Sequence, residues 1–442
     1  MAIRIFAILS FLIIAPCAAQ EAATPRPNIV LIMADDLGYE CLSCNGSKMY
    51  ETPNLDKLAA SGMRFKHAHS QPICTPSRVQ IMTGIYNNRN YVRFGYLDPE
   101  VTTFGNLLRD AGYATCIAGK WQLKGGYAGV KKFGFDRHCL WQLNRRPSRY
   151  PNPGLEIDGE QKDFKNGEFG PDVVTDYICK YLEERKGKQQ PFLVYYPMIL
   201  PHWPFVPTPG SKDWDPKMWR DKKNEPGGYR TQKYWDGMVR HTDKMVGKVV
   251  DKLEELGMRE NTLVIFTGDN GTFARVTSKF EGRDYKGGKG TTKDAGTHVP
   301  FFASWPKVIK GGQVRSDMVD FSDVLPTLTD AAGCGVPKSL KIDGTSLAPL
   351  FTDQERVKPY VYCWYQRNGV RQKAQQLVRT QRYKLYASGK LFDIQKDPLE
   401  ASPLEASAMK EVHEELGAAL ARHVKDTLTA DPIQQAKRKK GK

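Results

Sequence analysis

The sequence has few acidic residues relative to basic ones, and it has almost no long apolar segment. It contains 49 Asp and Glu against 65 Lys and Arg, which gives a formal net charge of +16. The one sustained apolar run, Ile5–Ile14, is too short to cross a bilayer, and no later run replaces it. We therefore expect no transmembrane segment, and the basic excess favours a polyanionic partner.

Cysteine is sparse and lacks a zinc-binding arrangement. Nine cysteines are scattered over 442 residues, and Cys41 and Cys44 have no matching second pair. A structural zinc site needs about four such ligands, so none is expected. Cys41 and Cys44 are close enough for a local disulfide, although a reduced pair fits equally well.

The first residues are typical of a secretory signal. Arg4 is the only charge in Met1–Ala19, an apolar stretch follows it, and Cys17-Ala18-Ala19 offers small residues for cleavage. We expect an exported protein, either periplasmic or secreted. For such a protein a sulfated polysaccharide satisfies the basic charge, and we expect no nucleic-acid partner because no recognition motif is present.

Short apolar runs alternate with helical patterns. Asn28–Met33, Tyr113–Ala118, Phe192–Tyr196 and Thr262–Phe266 read as buried strands, and 234–256 carries apolar residues at helical spacing. This alternation predicts an α/β fold with a large mixed, mostly parallel sheet sandwiched by helices. Ligands of such sheets bind at the carboxyl ends of the strands.

Polar residues follow these predicted strands directly. They are Asp35, Asp36, Lys120, His202, Asp269 and Asn270. A single Asp in such a position is usually a solvated strand end or a helix cap. Two pairs at the ends of two apolar strands instead predict a site for one hard divalent cation, held by Asp35, Asp36, Asp269 and Asn270. We favour Ca²⁺ over Mg²⁺.

The alternation of buried strands and helices ends near residue 352. Short alternating segments between 360 and 393, followed by a helical pattern near 408–424, predict a smaller C-terminal antiparallel sheet plus helix. We divide the chain into a signal peptide (1–19), a catalytic α/β domain (20–352), a C-terminal subdomain (353–430) and a basic tail (431–442).

The most informative motif is C-x-P-x-R at Cys74–Arg78. Alone, it would fit a buried cysteine beside a helix that begins with proline. Further elements follow in a fixed order: Gly119-Lys120-Trp121, Pro201-His202, Gly268–Gly271, Gly288–Thr292 and Phe392-Asp393 with Asp397-Pro398. Together with Pro27–Gly38 they resemble the type I, formylglycine-dependent sulfatases of the alkaline phosphatase superfamily, over nearly the whole mature chain.

This resemblance implies a sulfuric ester hydrolase. A maturation enzyme that generates formylglycine would oxidise Cys74 to an aldehyde, whose hydrated form supplies the nucleophile and later expels sulfate. The metal would also contact position 74. The resemblance places Arg78, Lys120 and Lys289 around the sulfate, where fixed positive charge stabilises the transfer. It places His202 at the leaving oxygen, to which a protonated imidazole could donate.

Gln122 departs from the family pattern. Sulfatases usually carry His two residues after the Lys of G-K-W-H-L, and that His is implied to hold the diol and accept a proton as sulfate leaves. Gln can hydrogen-bond but is not a base at neutral pH. We expect transfer to remain intact and elimination to be affected. His298 stands where relatives often have Arg, and we interpret it as structural.

The substrate predicted from the sequence is a sulfate ester, most plausibly on a carbohydrate. Aromatic and Arg residues that suggest sugar and sulfate contacts are Trp141, Arg145, Arg146, Arg149, Tyr150, Trp214 and Trp219. They are equally compatible with ordinary packing. One alternative is a phosphodiesterase or phosphonate hydrolase of the same superfamily. Another is a glycan-binding protein whose catalytic site has decayed, with Gln122 as the sign.

Overall fold

The computed structural model describes residues 26–215, 217 and 232–428. The predicted signal peptide, the basic tail and Trp219 lie outside the described residues. The strands are β1 Asn28–Ala34, β2 Met63–His69, β3 Ala114–Lys120, β4 Arg137–Trp141, β5 Gly154–Ile157, β6 Glu160–Asp163, β7 Phe192–Pro197, β8 Thr262–Gly268, β9 Thr277–Phe280, β10 Arg283–Lys286, β11 Phe301–Ser304, β12 Gln313–Asp320, β13 Val361–Tyr365, β14 Gln375–Arg379, β15 Tyr383–Tyr386 and β16 Leu391–Asp393. The α-helices are α1 Pro53–Ala60, α2 Cys74–Thr83, α3 Asn87–Asn90, α4 Phe104–Asp110, α5 Gly126–Lys132, α6 Gly170–Arg185, α7 Trp235–Glu255, α8 Asp294–Thr297, α9 Val324–Ala331, α10 Ala348–Phe351 and α11 Lys410–Lys425.

Ten strands form the main sheet, in the order β12-β2-β11-β8-β1-β7-β3-β4-β5-β6. The five central strands β8, β1, β7, β3 and β4 are parallel to one another. Antiparallel strands flank them on both sides. This confirms the predicted mixed, mostly parallel sheet, and it brings the carboxyl ends of the four strands predicted from the sequence to one edge.

Helices cover both faces of this sheet. Strand β1 shows why, because successive side chains of a strand point to opposite faces. Ile29, Leu31 and Met33 join a core that includes residues of α2, α4 and α9. Val30 and Ile32 join a second core that includes residues of α1, α6 and α7. The continuous apolar run of β1 therefore reflects burial on both faces.

Strands β13 to β16 form a separate four-stranded antiparallel sheet, and α11 packs against β14 and β15. This confirms the predicted smaller sheet plus helix; the domain boundaries themselves remain a prediction. The loop between β13 and β14 contacts the larger part of the fold, since Arg371 donates to the carbonyl groups of Asn88 and Tyr91, each at 2.6 Å.

Two sequence predictions concern disulfide bonds and membrane-spanning helices. The eight cysteines of the described part of the chain are all free, so Cys41 and Cys44 are not joined here. Over the residues described, we find no helix whose length and apolar character would let it cross a membrane.

Candidate active site

The site is built first from the ends of two neighbouring strands. Register pairs Ala34 of β1 with Gly268 of β8, so the residues that follow each strand lie side by side. A β-carbon on Gly268 would lie 2.1 Å from the backbone oxygen of Leu37. Only glycine permits this close approach of the two chains. The pairs Asp35-Asp36 and Asp269-Asn270 are thereby brought together, as the sequence predicted.

These four side chains are buried and partly held by one another. The backbone N–H of Asp36 donates to Asp269 Oδ1 at 3.0 Å, and Asn270 Nδ2 donates to Asp36 Oδ1 at 2.9 Å. Asp36 adopts φ +70°, a strained conformation for a non-glycine residue, and such strain is often found at functional sites.

Two oxygens of this group have no hydrogen-bond partner among the described residues. They are Asp35 Oδ1 and Asn270 Oδ1, both in side chains with no exposed surface. A buried polar atom without a partner is costly, so an orphaned pair of oxygens calls for an explanation. Hard oxygen ligands with three carboxylates fit a divalent cation such as Ca²⁺ or Mg²⁺.

Cys74 lies beside this group at the first residue of α2. It is 2% exposed, and ligand atoms of Asp35, Cys74 and Asp269 all lie within 4.8 Å of one another. The N-terminus of a helix favours negative charge through its free N–H groups. Arg78 follows one helical turn later and is therefore on the same face as Cys74.

Three cations pair with the three carboxylates. Lys120 Nζ lies 2.6 Å from Asp35 Oδ2, and Lys289 Nζ lies 2.6 Å from the Asp36 carboxylate. Arg78 Nη2 lies 3.3 Å from Asp269 Oδ2. In addition, Arg78 Nη1 donates to the backbone oxygen of Lys120 at 3.0 Å. The sequence-predicted cations therefore do converge on the predicted acidic group.

Burial and charge shift the carboxyl groups in opposite directions. Burial alone would raise the pKa of Asp35, but Lys120 foremost, with further cations, lowers it well below its usual range. The pKa of Asp269 is raised, because of burial first and then the neighbouring charge of Asp35. The cations therefore favour the charged form of Asp35, whereas burial and the charge of Asp35 disfavour the charged form of Asp269.

His202 follows β7 and joins the same edge. Its Nε2 lies 3.7 Å from Asp36 Oδ2, and its Nδ1 lies 2.8 Å from Arg149 Nη1. The pKa of His202 is lowered well below its usual range, because of burial first and then the positive charge of Lys289. Burial and the neighbouring cations therefore favour the neutral ring, which retains one N–H.

Gln122 lies next to the Cys74 helix, two residues after the end of β3. Its φ is +61°, and its Oε1 accepts from the hydroxyl of Thr75 at 3.4 Å. The same hydroxyl accepts from the N–H of Gly95 at 3.1 Å, so its proton is committed to Gln122. The amide NH₂ group is therefore what Gln122 offers to a neighbouring anion.

The described members of the predicted sugar-contacting set differ in exposure. Trp141, Arg149 and Tyr150 are buried, Arg145 and Trp214 are half-buried, and Arg146 is exposed. For Trp141 and Tyr150, each 1% exposed, the structure favours the packing alternative. Trp214 packs edge-on against Phe169. The contact of Arg149 with His202 could not be predicted from the sequence, since no motif links residues 53 positions apart.

His298 is placed as the sequence predicted. Its ring stacks on that of Tyr39 with centroids 4.0 Å apart, and its Nε2 contacts the backbone oxygen of Lys66 at 2.8 Å. Neither contact involves the acidic group or Cys74. His298 is structural.

Comparison with known proteins agrees with this geometry. A sequence model of the sulfatase family matches residues 27–334. The chain belongs to the sulfatase family. It is a sulfuric ester hydrolase with the mixed α/β fold of the formylglycine-dependent sulfatases of the alkaline phosphatase superfamily. A second model, described as N-sulphoglucosamine sulphohydrolase, C-terminal, matches residues 289–426 of this sulfatase.

Individual relatives resemble this sulfatase over most of their length. Arylsulfatase G of Rattus norvegicus is 27% identical, covering 87% of this chain and 84% of its own. N-acetylgalactosamine-6-sulfatase of Mus musculus is 30% identical, covering 79% and 71%. The crystal structure of Ps i-CgsB in complex with k-i-k-neocarrahexaose has a TM-score of 0.76 and 26% identity, covering 92% of this chain and 94% of that one.

Proposed function

We propose that this sulfatase hydrolyses sulfate esters of a sulfated carbohydrate, with a formylglycine made from Cys74 and one bound Ca²⁺. The observation that carries the proposal is the convergence of Cys74 with three buried carboxylates and three buried or half-buried cations at one sheet edge. Within this cluster, Asp35 Oδ1 and Asn270 Oδ1 have no hydrogen-bond partner among the described residues, which leaves both oxygens available to an ion.

The metal ligands are Asp35, Asp36, Asp269, Asn270 and position 74. When bound, the ion would offset negative charge that grows on the sulfate oxygens. Formylglycine would supply an oxygen nucleophile through its hydrated aldehyde. Both groups come to this chain from the sulfatase family, and the oxygen-only donor set of the four strand-end residues is what supports Ca²⁺.

The chain's own cations would bind and orient the sulfate. Lys120, Lys289 and Arg78 hold their charges in buried positions, where electrostatic interactions are stronger than in water. Burial alone would lower the pKa of Lys289. The negative charges of Asp36 and then Cys74 outweigh this effect and raise the pKa above its usual value, so the side chain stays charged. These fixed charges need no rearrangement as the sulfuryl group moves, which is how such sites lower a barrier.

His202 and Gln122 would act on either side of the reacting group. His202 offers one N–H to the leaving oxygen, a stabilisation that matters most when that oxygen belongs to a poor leaving group such as a sugar alcohol. Gln122 offers its amide N–H groups near position 74 but no base. We therefore expect selective activity with slow sulfate release rather than an inactive protein.

A carbohydrate substrate is supported by two observations. The sequence carries an excess of basic residues, which attracts polyanions. A relative with 30% identity is an N-acetylgalactosamine-6-sulfatase, and Ps i-CgsB was solved with a neocarrahexaose. In keeping with the predicted signal peptide, we propose that the protein is exported to the periplasm or secreted, and that its partner during synthesis is a formylglycine-generating enzyme.

The test is sulfate release from a panel of sulfated oligosaccharides, with protein produced alongside a maturation enzyme. The matched control is Cys74→Ala, which keeps the fold but cannot form the aldehyde. We expect release from at least one glycan, none from the control, and loss on chelation with recovery by Ca²⁺. Faster turnover of a phosphodiester or phosphonate would contradict the sulfatase assignment. Binding without turnover, despite formylglycine at position 74, would indicate a decayed site.

A further inference from the structure

Arg149 is a buried cation whose position the proposed reaction does not yet explain. It lies in the loop between β4 and β5 and is 7% exposed. Its guanidinium lies 4.0 Å from the ring centroid of Trp141, and its Nη1 lies 2.8 Å from His202 Nδ1. Among the residues described, no carboxylate forms a salt bridge with it, although Asp35 and Asp36 interact with it electrostatically. Burying a cation without a directly paired carboxylate is expensive, so the contact with His202 needs a reason.

The two groups that contact His202 Nδ1 favour opposite protonation states of this nitrogen. The backbone oxygen of Trp203 contacts the same nitrogen, and a carbonyl oxygen can only accept, so it favours a proton on Nδ1. The guanidinium of Arg149 can only donate, so it favours a lone pair there. A neutral imidazole carries one proton, which resides on one nitrogen or the other. Which group prevails therefore decides whether Nε2 carries the proton.

We propose that Arg149 is a positioning residue that holds His202 in the tautomer with its proton on Nε2. A hydrogen bond from a charged donor is stronger than one between neutral groups, so the guanidinium prevails over the Trp203 carbonyl. Nε2 is the nitrogen that faces the site, 3.7 Å from Asp36 Oδ2. The number of protons on the ring does not change; only the nitrogen that carries the proton does.

This inference rests on the proposed role of His202 as donor to the leaving oxygen. With Arg149 present, Nε2–H is available for that donation. Without it, the Trp203 carbonyl would hold the proton on Nδ1, and Nε2 would present a lone pair to an oxygen that already carries negative charge. Arg149 would then act on the reaction without touching the substrate, through the hydrogen-bonding state of His202.

The direct test is ¹⁵N NMR of histidine-labelled, metal-loaded protein, with His202→Ala to assign the ring signals. We expect an unprotonated Nδ1 and a protonated Nε2 in the native protein, and a shift toward a protonated Nδ1 in Arg149→Met. Arg149→Lys keeps a charged donor and should keep the native tautomer. Arg146→Met is the matched control, because Arg146 is exposed, lies on the same loop and faces the same Trp141 ring at 6.0 Å. A proton on Nδ1 in the native protein, or an unchanged tautomer in Arg149→Met, would overturn the proposal.

Kinetics separate this proposal from the role of His202 itself. General acid or hydrogen-bond donation of this kind typically contributes 10²–10⁴-fold. We therefore expect Arg149→Met to lower kcat on alkyl or sugar sulfates by about tenfold or more, with a smaller loss on aryl sulfates, while Arg149→Lys recovers part of it. An altered tautomer with equal losses on both substrate classes would leave the assignment of Arg149 supported and would overturn the donor role of His202.

Discussion

If the proposed Ca²⁺ site is correct, replacing Asp269 by Asn should remove most of the calcium-dependent stabilisation of this sulfatase without unfolding the protein. The pKa of Asp269 is already raised by burial and by Asp35, so a neutral side chain suits this position when no cation is bound. The Asn keeps an oxygen that can accept the N–H of Asp36, now at 3.0 Å. What it removes is one of three carboxylates that compensate the charge of the ion, and with it the ion pair to Arg78 at 3.3 Å, whose loss lowers stability with and without Ca²⁺ alike.

The contribution of Ca²⁺ binding to the free energy of unfolding follows from mass action. At a Ca²⁺ concentration about 100 times Kd, binding stabilises the native protein by about 2.7 kcal/mol. If the lost carboxylate weakens binding about 100-fold, the same concentration contributes only about 0.4 kcal/mol by the same relation. Thermal unfolding with and without Ca²⁺ measures both values, and Asp163→Asn, an exposed carboxylate paired with Arg145, is the control. A full calcium-dependent shift in Asp269→Asn would refute the assignment of this residue as a ligand.

Three further predictions address other parts of the molecule. Peptide mass analysis of active protein should find formylglycine at position 74, and full activity with an intact Cys74 thiol would contradict this. Gln122→His should speed sulfate release relative to alcohol release, measured by rapid quench; an unchanged ratio would show that Gln122 does not limit elimination. Acid should destabilise the fold through His298, whose pKa is lowered to about 4 by burial, with Asp294 opposing and Arg379 adding to the shift. Because the unfolded chain binds a proton below about pH 6.5 and the folded one resists it, stability rises with pH between about 4 and 6.5. Between pH 7 and pH 5 this costs about 1–2 kcal/mol, and His298→Asn should flatten the pH dependence of denaturant unfolding; an equally steep profile would contradict it.

The sequence was sufficient for four of the five central parallel strands, β1, β3, β7 and β8, and for the acidic group at the ends of β1 and β8. Runs such as Asn28–Met33 are buried on both faces, as expected for the inner strands of a parallel sheet in an α/β fold. The polar residues that directly follow these strands then lie at the edge of the sheet formed by the carboxyl ends of the strands, independently of the loop conformations. Local pattern and tertiary position agree there, so prediction succeeded.

The sequence was not sufficient to place the residues at and after the end of β4. It left open whether Trp141 and Tyr150 contact a sugar or pack inside the protein, and both are buried. Tyr150 donates to the backbone oxygen of His202, and the contact between Arg149 and the His202 ring comes from the same loop. Nothing in the spacing of either segment specifies that they meet. The loop between β4 and β5, which the sequence suggested for sugar contacts, instead contacts His202, the residue proposed to donate to the leaving oxygen.

The balance of charge in the site is compatible with the proposed divalent ion. Three carboxylates are matched by Arg78, Lys120 and Lys289, so their formal charges cancel. Asp269 is the carboxyl group whose charge is least favoured, because burial first and then the charge of Asp35 raise its pKa. A divalent ion bound there would leave the whole site with a net positive charge, which suits a sulfate ester and suits the sulfate dianion even better. In the proposed mechanism, release of sulfate is therefore the step that most needs assistance, and Gln122 supplies no base for it.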